Sequence, residues 1–103
     1  MKIEWTEPAI DDLASIRDYI SRDSEHYAGQ FIGQIIEAVE KLETLPERGR
    51  KVPESLATEG IRELLFQSYR IVYRLGTDRI QILTVLHGPR DLGQMTPKPW
   101  EIG

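Results

Sequence analysis

The chain of 103 residues contains no cysteine, which excludes disulfides, thiolate nucleophiles and any Cys-ligated zinc site. It has only two histidines, and no His/Asp/Glu group stands at ligand spacing, so no metal site is expected. No apolar run approaches the roughly 18 residues that span a bilayer. The opening "MKIEWTEPAIDD" lacks the basic-then-apolar layout of a secretion signal, so a soluble, cytoplasmic protein is the expectation. Ser68 has no nucleophile elbow around it, and no Gly-rich phosphate loop is present. There are no repeats and no low-complexity segments. With no self-contained active site and no cofactor implied, these absences favour a protein that works by binding.

What is present is ordinary for one domain spanning 1–103: 40% apolar and 29% charged residues. The net charge of −4 hides a segregation. Residues 1–47 carry four basic and eleven acidic side chains, whereas residues 48–103 carry nine basic and six acidic. A locally basic second half on an acidic chain suggests a face made for an anionic partner, unless the two halves simply neutralise each other across the fold.

"KIEW" alternates like a short strand. Thr6 is placed to cap a helix, with Glu7 and Pro8 suited to its first turn, and the helix is expected to run to about Ser21. Ile10, Leu13, Ile16 and Ile20 form its apolar stripe. Ser24 caps a second helix expected to reach about Leu45, with the stripe Ala28, Phe31, Ile32, Ile35, Val39 and Leu42. The two helices form an antiparallel hairpin that must cover something. "PERGRKVPESLATEG" reads as a loop. Three strands follow, at about 61–66, 69–75 and 79–87, whose short links impose an antiparallel meander. The segment 93–103 is expected to be an irregular tail.

In the middle strand Tyr69, Ile71, Tyr73 and Leu75 alternate with Arg70, Val72 and Arg74. The first set is the natural seat for the hairpin, which leaves Arg70 and Arg74 on an opposite, open face. Arg50, Arg62, Arg70, Arg74 and Arg90 could line a shallow basic surface there. The plainer reading is that each pairs with Glu63, Asp78, Asp91 or the helix acids and keeps that face soluble. His87, ending the last strand, is either a polar terminal residue or an acid/base group.

The order strand, two helices and meander, with "IRELLFQSYRIVYRL" and "ILTVLHGPRDL", resembles the RelE/ParE superfamily of small bacterial toxins. The segments "EWTEPAIDDLASIRDYISRDS", "LPERGRKVPE" and "VLHGPRDL" look ParE-like. The resemblance implies an α+β, RelE/ParE-like fold, β-α-α-β-β-β, in which an N-terminal strand and two-helix antiparallel hairpin pack on a small antiparallel β-sheet. It implies the toxin of a type II toxin–antitoxin system, bound in a hetero-oligomer by a cognate antitoxin and meeting DNA only indirectly through it. The ParE-like branch implies inhibition of DNA gyrase by binding, with Arg50, Arg62, Arg70, Arg74 and Arg90 on the target face. Ile16, Ile20, Phe31, Ile35, Arg70 and Arg74 would meet the antitoxin. The RelE-like alternative is a ribosome-dependent mRNA endonuclease using Arg62, Arg70, Arg90 and His87. Against that pattern, the second of two expected lysine positions is Leu64, and the tail holds no Tyr or His. A third alternative is a non-toxic member that only binds an antitoxin.

Overall fold

The computed structural model describes residues 1–55, 58–88 and 97–101. Strand β1 (Lys2–Trp5) leads into helix α1 (Glu7–Ser21) and helix α2 (Glu25–Glu40). After a loop come β2 (Arg50–Lys51), β3 (Ile61–Phe66), β4 (Tyr69–Leu75) and β5 (Arg79–His87). They form one sheet in the order β1-β5-β4-β3-β2.

Both caps are where the sequence puts them. The Thr6 side chain accepts from Ala9 N, and that of Ser24 accepts from Tyr27 N. The second helix ends earlier than Leu45. At Glu40 it tightens into a 3-10 turn, Lys41–Glu43, the usual way a last turn satisfies its carbonyls.

The sheet is mixed, which corrects the expectation of a purely antiparallel one. β1 pairs in parallel with β5, Lys2 opposite Arg79 and Trp5 opposite Ile82. Short links fix direction only among β3, β4 and β5. The connection from β1 passes through the whole hairpin, so its direction is unconstrained by a turn. The loop also donates a two-residue strand that the sequence pattern did not reveal: Arg50 pairs with Glu63 and Lys51 with Arg62.

A bulge between Val72 and Tyr73 shifts the pairing with β5, where Val72 faces Thr84 and Tyr73 faces Ile82. The alternation of β5 is therefore interrupted at Leu83. Ile80, Ile82 and Val85 join the helix-side core, while Leu83 and Leu86 face the other way. Beyond Ile82, β1 no longer covers β5. There Asp12 of α1 fills the gap, its carboxylate accepting from the Val85 amide at 3.0 Å and from the Thr84 hydroxyl.

The main core joins Phe31, Ile35, Val39 and Leu42 of the hairpin to Ile71, Tyr73, Ile80 and Ile82 of the sheet. Each such side chain contributes about 1.5–3 kcal/mol when fully buried. Ile10 is not among them: it is 54% exposed, and Ala9 is the buried residue. The buried stripe of α1 runs through Ala9, Leu13, Ile16 and Ile20, and at 3.6 residues per turn Ile10 stands about 100° round the helix from Ala9. Tyr73 ties this core to the loop after α2. Its hydroxyl donates to Pro46 O at 2.8 Å and accepts from the Gly49 amide at 2.9 Å. Burial pushes the phenol up from its ordinary value, so it stays neutral. Gly49 must be glycine, because a Cβ would lie 2.5 Å from the Tyr73 hydroxyl and 2.7 Å from Glu63 O.

Tyr73→Phe leaves the Gly49 amide and the Pro46 carbonyl without their partner. It is expected to lower unfolding free energy by about 1–3 kcal/mol. In urea denaturation this appears as a lower midpoint with an unchanged slope.

Candidate partner-binding face

The bulge-adjusted alternation places Arg70, Val72 and Arg74 on the sheet face away from the helices. Ile61, Glu63 and Leu65 of β3 and Arg50 of β2 share that face by register. It is not an open basic surface. Val52, Ile61, Val72, Leu83, Leu86 and Trp100 build a second apolar cluster on it. Trp100 belongs to a short C-terminal turn, Pro99–Glu101, and is only 7% exposed.

Arg70 lies at the centre of this face and is buried, 8% exposed, which corrects its placement as an exposed arginine. Its Nε donates to Glu63 Oε1 at 2.5 Å, and its two terminal nitrogens take Glu54 in a fork at 3.0 and 3.1 Å. Glu63 is fully buried. Its other oxygen accepts from Arg50 Nε at 2.7 Å. One carboxylate therefore holds two arginines, and one arginine holds two carboxylates. Hydrogen bonding to Glu54 raises the Arg70 pKa further despite burial, so the guanidinium is permanently charged. The same Arg70 bond holds the Glu54 carboxyl below its ordinary value of 4.5, against a smaller opposing effect of burial.

The remaining candidates separate. Arg74 is partly buried and donates to Trp100 O at 2.5 Å, pinning the tail. Arg62 sits directly opposite Tyr73, on the helix side, and donates to Gly49 O at 2.7 Å and Glu47 O at 3.4 Å. It clasps the loop and is across the sheet from Arg70. His87 also lies on the helix side, opposite Tyr69, whose ring it meets edge-on at 5.4 Å. Arg90 lies outside the described residues. The group Arg62, Arg70 and His87 is thus not brought together. Only Arg50, its side chain 58% exposed, presents a cation from the network to solvent.

The helix-side candidates for antitoxin contact divide in the same way. Phe31 and Ile35 are 4% and 0% exposed, consumed by the chain's own core, and Ile16 and Ile20 are half-buried against it. What the hairpin does expose is Ile10, Tyr19, Tyr27 and Ile36. Tyr19 and Tyr27 fall off the helical stripes, and that was the signal available in the sequence. A groove of about 410 Å³ runs between α1 and β5, lined by Asp12, Ile16, Tyr19, Tyr69, Val85 and His87 among others. Among the described residues no His/Asp/Glu group could hold a metal ion, and no helix is long and apolar enough to cross a membrane.

A hairpin on one face of a five-stranded mixed sheet, with an ion network on the other, defines an α+β fold shared with solved toxin–antitoxin proteins. The chromosomal ParDE toxin–antitoxin system of P. aeruginosa has a chain that superposes with a TM-score of 0.71 at 27% identity, covering 84% of this chain and 95% of that one. A chain of the toxin–antitoxin complex RelBE2 of Mycobacterium tuberculosis shares the fold, with a TM-score of 0.60 at 23% identity over 84% of this chain and 95% of that one. The curated Toxin RelE2 of Caulobacter vibrioides is 34% identical over 90 residues, 86% of this chain and 97% of its own. Residues 3–92 match the family described as ParE toxin of type II toxin-antitoxin system, parDE, and the chain belongs to that family.

Arg70→Met strips Glu54 of its fork and Glu63 of its buried partner. It is expected to lower stability at pH 7 by about 3 kcal/mol. A carboxyl held below its ordinary value stabilises the fold above that value and ceases to do so as pH falls. Wild type should therefore lose stability as pH drops through and below 4.5, and Arg70→Met should lack the share that Glu54 contributes. Unfolding curves across pH 3–7 measure both effects.

Proposed function

We propose that the chain is a toxin that inhibits DNA gyrase by binding and is neutralised by a cognate antitoxin in a hetero-oligomer. The observation that carries the reading is the state of the sheet arginines. Cleavage of RNA requires cations free to orient a phosphate and to stabilise charge in the transition state. Here Arg70 is already saturated by Glu54 and Glu63, and Arg62 and His87 stand on the other side of the sheet. A binding mode needs no such convergence. The likeness to a chain of the P. aeruginosa ParDE toxin–antitoxin system supports an antitoxin as partner. The exposed Tyr19 and Tyr27 and the groove beside α1 give an antitoxin helix apolar surface to cover.

A second reading, ribosome-dependent mRNA cleavage, is favoured by one observation, the 34% identity to a relative named Toxin RelE2.

Purified gyrase separates the two. The expected result is loss of supercoiling with accumulation of cleaved plasmid, and no cleavage of message on programmed ribosomes. Unaffected gyrase together with cut message would reverse the assignment. Growth unchanged by induced expression would point to a fold member that only binds an antitoxin.

A further inference from the structure

We propose that the sheet face away from the helices is a target-binding surface which the chain's own C-terminal turn holds closed, so that a protein target must displace Trp100 to dock there. The proposal rests on the reading of the chain as a toxin with a protein target.

The surface under the turn is apolar and continuous across the sheet. Val52 follows β2, Ile61 stands on β3, Val72 on β4, and Leu83 and Leu86 on β5. Trp100 completes this cluster from the Pro99–Glu101 turn, and Pro99 is buried beside it. An aromatic side chain of this kind buries about 150–250 Å². Lifting the turn would therefore uncover an apolar patch of the sort that marks an interaction site. Beside the patch, Arg74 donates to Trp100 O. Tryptophan and arginine at an apolar pocket are the residue types that dominate protein–protein hot spots. Here the pocket and its filling belong to one chain.

The closure is weakly fastened. Arg70 is held by two carboxylates, whereas Arg74 is bound by a neutral carbonyl on a three-residue turn. A bond to a neutral acceptor is about half as strong as one to an ion. Pro97 and Pro99 restrict the backbone of the turn, so little chain entropy is lost each time it reseats. The turn also lies beyond residues 3–92, the part of the chain that matches the family. The chemistry of the seated turn defines what can replace it: a protein surface offering one bulky apolar or aromatic side chain to the pocket and one oxygen to Arg74.

A site open only about 1–10% of the time binds its partner more weakly by that same fraction. Trp100→Ala in the full chain removes the closure. The readout is the cellular level of protein that halves growth under graded induction, which holds whichever protein is the target. The variant is expected to need about tenfold less protein than wild type, although its melting temperature falls. A tryptophan that only fills the core would cost potency instead. Trp100→Leu fills part of the pocket and should fall between the two; it carries the test if Trp100→Ala does not fold. In vitro, the peptide acetyl-Pro-Lys-Pro-Trp-Glu-amide should bind Trp100→Ala at least tenfold more tightly than wild type, whose pocket is filled in cis. Equal peptide affinity for the two proteins, or a folded variant no more potent than a wild type that arrests growth, would overturn the closure. Growth unaffected by either protein would instead overturn the toxin reading, and the proposal with it.

Discussion

The carboxylate of Glu63 is the constraint around which one side of this sheet is organised. Fully buried, it would be among the least tolerable groups in the molecule if left unpaired. Two arginines from two different strands close on it, and one of them brings in Glu54 from the loop. The network thereby fixes β2 against β3, β3 against β4, and the Pro53–Ser55 turn over both. It lies beside the apolar cluster of Val52, Ile61 and Val72, and the Arg70–Glu63 pair at its centre is buried. Such a network adds little net stability over a well-packed apolar substitute, but breaking it from one side is costly.

This arrangement changes what the arginines mean for function. An arginine in a strand invites interpretation as a phosphate or partner contact. Here Arg70 is occupied by carboxylates, Arg62 by backbone carbonyls and Arg74 by the tail. Of the described cations on β2, β3 and β4, the exposed ones, Arg50 and Lys51, stand on β2. The hairpin, for its part, spends Phe31 and Ile35 on its own core and offers Tyr19 and Tyr27 outward. Acidic helices and a basic strand edge place two unlike surfaces on opposite parts of a small toxin.

Much of the fold is legible in the residues. Thr6 and Ser24 cap the helices as their positions imply, and the alternation around Arg70 identifies the face that meets the hairpin. What could not be read has physical causes. Periodicity shows that Phe31 and Ile35 are covered, but not whether the chain's own sheet or a partner covers them. The link from Arg70 to Glu54 spans 16 residues and depends on a loop whose path no local pattern fixes. The bulge at Val72/Tyr73 breaks the period of two within Ile82–Leu86, a stretch apolar but for Thr84, where polarity does not mark which face is which. Ile10 looked like core because it stands three residues before Leu13, but Ala9, four before, completes the buried stripe.

The most direct measurement is a double-mutant cycle on the buried pair, Glu63→Leu and Arg70→Met, alone and together, by urea denaturation. If the two charges exist for one another, each single variant is strongly destabilised and the double variant recovers most of the loss, a coupling of about 2 kcal/mol or more. Losses that add to within about 0.5 kcal/mol would contradict the account, because the two groups would then be serving other parts of the molecule.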